Sequence, residues 1–201
     1  LRRLGDKISA KRIAEQAGLP VTPWGGEAAG TLDVAWEHAQ RLGYPVVVKA
    51  SAGAGGRGIR RAWSEPELAA AFDSARREAG RTFGDATVFV ERWLEGVRHV
   101  EVQVQGDHFG TLWAIGIRDC TIQRRFQKLV AEAPSPALMA REEDALKQAA
   151  IRLCRAADYQ DTATVEFLFD PSTREVFFME VNPRLQVEHP VTEHTTGVDL
   201  V

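Results

Sequence analysis

The stretch RHVEVQVQGDHFGTLWAIGIRDC, residues 98 to 120, alternates apolar and polar side chains on either side of GDHFG. A period of two sends alternate side chains to opposite faces of a strand, and a glycine-bearing break between two such runs closes an antiparallel hairpin. One face of the hairpin has to be buried, so the chain must supply other elements to cover it. TATVEFLFD and EVFFMEVN, joined by the turn-like PSTR, read as a second strand pair.

Helical signals alternate with these strands. GDKISAKRIAEQAGLP reads as a helix opened by Asp6 as N-cap and closed by Gly18, with Ile8, Ile13, Ala14 and Ala17 on one face. Leu32, Ala35, Trp36, Ala39 and Leu42 follow helical spacing up to Gly43, and YP then leads into the strand VVVK. Ser64 and Glu67 have capping-box spacing, and the helix they open places Leu68, Ala71, Phe72 and Ala75 inward until Gly80. TVFVERWL reads as a strand, and Leu146, Ala149, Ala150 and Leu153 mark a further helix. The succession suggests a connecting helix over 1–20, a small lobe over 21–92 and a larger strand-rich lobe over 93–201, with a ligand groove expected between the lobes.

Composition narrows the function. With 201 residues, 44% of them hydrophobic and 26% charged, the chain has the make-up of an ordinary globular protein. A formal net charge of −3 argues against nucleic acid as a partner, and no apolar run reaches membrane-spanning length. Cys120 and Cys154 form neither a CxxC pair nor a disulfide framework, which fits a reducing cytoplasm. The start at Leu1 rather than Met reads as part of something longer.

Four motifs carry chemistry. In KASAGAGGRGIR, Gly53, Gly55, Gly56 and Gly58 follow a strand ending at Lys49; glycines let backbone N–H groups approach an anion, as in a phosphate cradle. The competing reading is a flexible hairpin turn, and the spacing matches neither a P-loop nor a Rossmann fingerprint. Glu166 sits inside the apolar TVEFLFD, where a carboxylate needs a cation or a route to water. Glu180 ends a similar run with Asn182 two residues on, so adjacent strands would bring Glu166, Glu180 and Asn182 together as oxygen ligands for Mg²⁺ or Mn²⁺. EVNPRLQVE continues that polar edge through Arg184, Gln186 and Glu188, a catalytic strip for an anionic substrate or a solvated strand face. RDCTIQRRFQKL packs Arg118, Arg124, Arg125 and Lys128 around Gln123 and Gln127, either as solvated surface or as an anion clamp.

GDKISAK, VVVKASAGAGGRG, RHVEVQV, RDCTIQRRFQKLVAEAPSP, TVEFL and FMEVNPRLQVEHPVTEHTTGVDLV together closely resemble the biotin carboxylase component of biotin-dependent acyl-CoA and pyruvate carboxylases, members of the ATP-grasp superfamily. The resemblance covers essentially the whole chain. It implies an α+β ATP-grasp fold with a small lid lobe and an antiparallel-sheet catalytic lobe, incomplete at its C-terminal end. It implies ATP, Mg²⁺ or Mn²⁺, bicarbonate and carrier-bound biotin as cofactors and substrates. A biotin carboxyl carrier domain, a carboxyltransferase and a homo-oligomeric parent are the implied partners.

By position, the resemblance assigns Lys7 and Lys49 to the ATP phosphates under the loop from Gly53 to Gly58, Glu91 and Leu94 to the adenine, and His99 and Gln123 to the ribose and phosphates. Glu166 and Glu180 would hold metal with Asn182 close by; Lys128, Arg184, Gln186 and the Val187 backbone would bind bicarbonate, and Glu188 would deprotonate it. The chain departs from the family pattern at Phe126, usually histidine, at Ala52 and Ala54 within the glycine loop, at Ile117, usually glutamate, and at Ala163, usually glycine. These departures keep open a degenerate nucleotide-binding module, and another ATP-grasp ligase such as a carbamoyl-phosphate synthase is the alternative within the class.

Overall fold

The structure, a computed structural model, describes residues 2–53 and 55–201. In chain order its elements are α1 (Arg2–Gly5), α2 (Lys7–Gln16), α3 (Leu32–Leu42), β1 (Val46–Ala50), β2 (Ile59–Ala62), α4 (Glu65–Phe83), β3 (Val88–Arg92), β4 (Arg98–Gly106) and β5 (Leu112–Asp119). They continue with β6 (Gln123–Arg124), β7 (Gln127–Lys128), α5 (Ala140–Ala156), β8 (Asp161–Phe169), β9 (Val176–Asn182) and α6 (His189–Thr196). Two compact units result, one comprising residues 6–8 and 22–95 and the other residues 1–5, 9–21 and 96–201.

The smaller unit is a three-stranded antiparallel sheet in the order β2-β1-β3. Its core joins Val46, Val48, Val88 and Val90 to Ala35 and Ala39 of α3 and to Leu68, Ala71, Phe72 and Ala75 of α4. Thr31 caps α3 by accepting from the Val34 N–H, as β-region N-cap residues do. The capping-box expectation for Ser64 and Glu67 holds only in part: Glu67 accepts from the Trp63 N–H and the Ser64 hydroxyl, while Ser64 makes no side-chain cap bond. Helix α4 also runs through Gly80 to Phe83 and stops at Gly84, whose φ of +73° and N–H bond to Gly80 O form a left-handed cap. Gly80 is exposed, and an added Cβ there would make ordinary contact with Ala86 at 3.6 Å.

The larger unit is built on a four-stranded antiparallel sheet in the order β5-β4-β8-β9. Both hairpins legible in the sequence are present, as β4–β5 and β8–β9. Val100, Val102, Val104, Ile117, Ala163, Val165, Phe167, Phe178 and Val181 form its apolar face, covered by Ala10, Ile13 and Ala14 of α2 and by Leu146, Ala150 and Leu153 of α5. Ile117 and Ala163, two departures from the family pattern, therefore lie in the core. The opposite face holds polar residues at the intervening positions. Among the described residues, no helix is long and apolar enough to cross a membrane.

Candidate active site

Register places the charged residues. In an antiparallel ladder, residues directly opposite one another share a face. Arg118 pairs with Glu101, Glu101 with Glu166, and Glu166 with Glu180, so one rung crosses all four strands of the larger sheet. The next rung on that face runs Gly116, Gln103, Thr164, Asn182. Glu101, Gln103, Arg118 and Thr164 are fully buried, so every charge on this rung must be answered within the protein.

Lys128 answers three carboxylates. The short β6–β7 hairpin sets Gln123 opposite Lys128, and the Lys128 ammonium donates to Glu101 Oε2, to Glu166 Oε1 at 2.9 Å and to Glu188 Oε1 at 2.6 Å. Glu166 Oε1 also accepts from Asn182 Nδ2 at 2.7 Å and Gln186 Nε2 at 3.2 Å. His99 Nε2 lies 3.0 Å from Glu166 Oε2, while Gln123 Nε2 is 2.8 Å from His99 Nδ1 and donates to Cys120 O at 2.8 Å. The turn joining β6 to β7 has Arg125 at φ +53° and Phe126 at φ +63°, a left-handed pair that glycine and asparagine adopt more easily.

The electrostatics follow from this packing. Burial would raise the Glu166 pKa, but His99 and Lys128 overcome it and hold the group well below the usual carboxylate range. Burial opposes charge on Lys128, yet Glu166 and Glu101 raise it above its ordinary value. Glu188 is lowered as well, its burial more than offset by the Lys128 bond. For His99, burial works against the proton and the neighbouring Glu166 works for it, with a net upward shift.

The donor set suits a hard cation. Glu166 and Glu180 face each other across β8 and β9, and Asn182 gives its amide N–H to Glu166. His99, Glu101 and Glu166 each bring a ligand atom within 4.8 Å of the others. Glu101, Cys120 and Glu188 do the same, but burial drives the Cys120 pKa far upward and keeps its thiol protonated. Carboxylate and amide oxygens match Mg²⁺ or Mn²⁺, whereas a protonated thiol adds nothing to such a site.

The structure corrects the period-two edge and the four-residue anion clamp, and it places the remaining strip residues in different settings. The period-two edge of EVNPRLQVE covers only Glu180 and Asn182, because β9 ends there and Pro183 breaks the pairing. Gln186 and Glu188 reach the cluster from a turn that leads into α6, a helix the sequence reading missed. Arg184 is exposed and donates to Leu185 O at 3.1 Å, away from the cluster, and Val187 is 90% exposed. The grouping of Arg118 with Arg124, Arg125 and Lys128 as one anion clamp fails, since Arg118 is buried while Arg124 and Arg125 are exposed.

The glycine loop belongs to the smaller unit. Lys7 donates to Gly53 O at 2.5 Å, and Asp6 accepts from the Ser51 hydroxyl at the foot of the loop. Gly55, Gly56 and Gly58 have φ of +62°, +75° and +70°, conformations that cost a residue with a Cβ roughly 1–2 kcal/mol. Gly58 also packs so closely that an added Cβ would lie 2.6 Å from the Ala50 Cβ. The Gly58 N–H donates to the Glu78 carboxylate at 2.8 Å, so in this structure an anionic oxygen of the protein itself occupies it. Ala52 does not take positive φ, and Ala54 lies outside the described residues. Lys49, assigned to phosphate, is ion-paired with Glu91, assigned to adenine, and Glu91 also accepts from Thr22 at 2.9 Å. Leu94 follows β3 and is half-buried.

Comparison with known proteins places this arrangement in a family. The family model described as carbamoyl-phosphate synthase L chain, ATP binding domain, matches residues 6–201. A urea amidolyase of Lachancea kluyveri is 46% identical over all of this chain, which spans 11% of that protein. A biotin carboxylase of Nostoc sp. is 45% identical over all of it, and the chain spans 45% of that relative. The biotin carboxylase domain of the Hydrogenobacter thermophilus 2-oxoglutarate carboxylase, solved as a dimer with MgADP, ADP and bicarbonate, superposes with a TM-score of 0.95 at 40% identity, covering 99% of this chain and 44% of that one. The α+β ATP-grasp fold expected from the sequence is thus the fold found. The chain belongs to the family of the carbamoyl-phosphate synthase L chain ATP-binding domain, with biotin carboxylases among its relatives.

Proposed function

We propose that this chain is the ATP-binding, bicarbonate-activating region of a biotin carboxylase. The observation that carries the reading is the single Lys128 ammonium shared by Glu101, Glu166 and Glu188. It leaves an ionised carboxylate, Glu188, at the edge of a buried charged rung, beside a cation suited to a small anion.

The steps follow from those charges. Bicarbonate binds against Lys128, Gln186 and the Val187 backbone, and Arg184 swings in from its exposed position to complete the anion site. As Lys128 turns from Glu188 to the bicarbonate, the glutamate loses the contact that lowers its pKa and becomes a better base. Glu188 takes the bicarbonate proton while the bicarbonate oxygen attacks the γ-phosphorus of ATP; ADP leaves and carboxyphosphate forms. Cleavage of its carbon–oxygen bond releases CO₂ and inorganic phosphate beside the biotin ureido nitrogen; the phosphate takes the ureido proton and the nitrogen bonds to CO₂. Phosphoryl transfer depends mainly on positioning and charge neutralisation.

Lys7, Lys49 and the glycine loop hold the phosphates in this reading, Glu91 and Leu94 the adenine, and His99 and Gln123 the ribose and phosphates. Release of the Gly58 N–H from Glu78 and of Lys49 from Glu91 prepares them for the nucleotide. Mg²⁺ or Mn²⁺ held by Glu166 and Glu180, with Asn182 beside them, would neutralise phosphate charge. The MgADP and bicarbonate in the Hydrogenobacter structure support these ligands. A biotin-bearing carrier and a carboxyltransferase are the partners, and the final acceptor is chosen by the latter; relatives named for urea and for 2-oxoglutarate fit that division.

The test is ADP release by the full-length protein with MgATP, biotin and varied bicarbonate. Release that rises with bicarbonate and saturates is the expected result. ATP hydrolysis indifferent to bicarbonate and biotin contradicts the proposal.

A further inference from the structure

We infer that Arg118 is a positioning residue for the reaction proposed above, on which this inference rests: its guanidinium fixes Lys128, through Glu101, relative to the turn and helix that carry Gln186 and Glu188. The side chain is fully buried. Its Nε donates to Glu101 Oε1 at 2.6 Å, Nη1 to Gln103 Oε1 at 2.9 Å and Thr192 Oγ1 at 2.7 Å, and Nη2 to Thr164 Oγ1 at 3.2 Å and, more weakly, Gln186 Oε1 at 3.5 Å. Each of the five guanidinium N–H groups therefore has an acceptor within the protein. None remains for a substrate. An arginine saturated in this way acts by geometry, not by touching bicarbonate or phosphate.

The acceptors tie separate elements together. Glu101 and Gln103 lie on β4, Thr164 on β8, Gln186 in the turn and Thr192 on α6. The second oxygen of Glu101 receives Lys128, so any shift of Arg118 passes directly to the ammonium expected to hold bicarbonate. On the other side, Thr192 is 1% exposed and anchors α6, whose N-cap position is Glu188. Arg118 thus sets the spacing between the ammonium and the proposed base. Lysine keeps the charge but lacks the planar fork that reaches acceptors on several elements at once.

The experiment is steady-state ADP release by the full-length protein, with KM for ATP and bicarbonate measured separately in Arg118→Lys, Thr192→Val and Thr192→Ser. Arg118→Lys should lower kcat by about 100-fold, the scale of a misplaced reacting group, and raise KM for bicarbonate while KM for ATP stays near wild type. Thr192→Val, a milder change that keeps the fold should the arginine variant not fold, should raise KM for bicarbonate about fivefold, the worth of one hydrogen bond. Thr192→Ser, which keeps the hydroxyl, should restore it. Equal behaviour of the two Thr192 variants, or an Arg118→Lys enzyme whose turnover falls only in proportion to its unfolded fraction with both KM values unchanged, would reduce Arg118 to a structural residue and overturn the inference. Wild-type protein without bicarbonate-dependent turnover would overturn the function itself, a result seen before any variant is made.

Discussion

Lys128 donates to Glu188 across 2.6 Å, so the proposed base and the cation proposed to hold its substrate are in contact before any substrate arrives. Glu188→Gln keeps the shape and loses the base. Biotin carboxylation should fall by roughly 10²–10⁴-fold, the range of a general base, with MgATP affinity nearly unchanged. Parallel assays of turnover and nucleotide binding check both halves, and normal carboxylation by the variant would remove Glu188 from the role.

Lys128 is also a keystone of stability. Replacing it with methionine leaves Glu101, Glu166 and Glu188 close together without their shared cation. Breaking a buried charge cluster from one side costs about 3–5 kcal/mol. Chemical denaturation should show a loss of that order, and a second change, Glu101→Gln, should recover part of it.

Metal dependence should map to Glu180. It sits directly across from Glu166 on the adjacent strand, so Glu180→Gln should weaken Mg²⁺-dependent nucleotide binding by at least roughly tenfold. Chelation with EDTA should bring wild type and variant to the same residual affinity. Titration calorimetry with a non-hydrolysable ATP analogue measures this, and an unchanged Mg²⁺ dependence in the variant would take Glu180 out of the metal site.

Acid stability should depend on Asp119. Burial alone would raise its pKa, but bonds from Arg98, Thr121 and Ser135 outweigh it and lower the carboxyl. Because the folded pKa is depressed, the group stabilises the fold above the unfolded value of about 3.9, and that contribution is lost as pH falls through the lower folded value. Urea midpoints measured from pH 7 down to about pH 3 should therefore decline more steeply for wild type than for Asp119→Asn. Parallel declines would contradict the assignment.

The strand pairs were legible because alternation reports which side chains share a face. Glu166, Glu180 and Asn182 could be brought together from that alone, once their strands were taken as neighbours. Alternation does not report what covers a face. Glu101 and Gln103 are polar positions of the alternating hairpin, yet both are fully buried. The same ambiguity merged Arg118 with Arg124 and Arg125, since a run of charge has no periodicity to separate the buried member from the exposed ones. Beyond Pro183 the backbone leaves the strand, so a reading in steps of two carried Arg184 into a cluster that it does not join in the structure.

The most direct test of the central claim is transfer of labelled carbon from bicarbonate to biotin by the full-length protein, followed with and without MgATP. The account predicts incorporation that requires both ATP and the metal, one biotin labelled for each ATP consumed in the coupled reaction, and almost none in Glu188→Gln. Label-free biotin recovered alongside full ATP hydrolysis would contradict it.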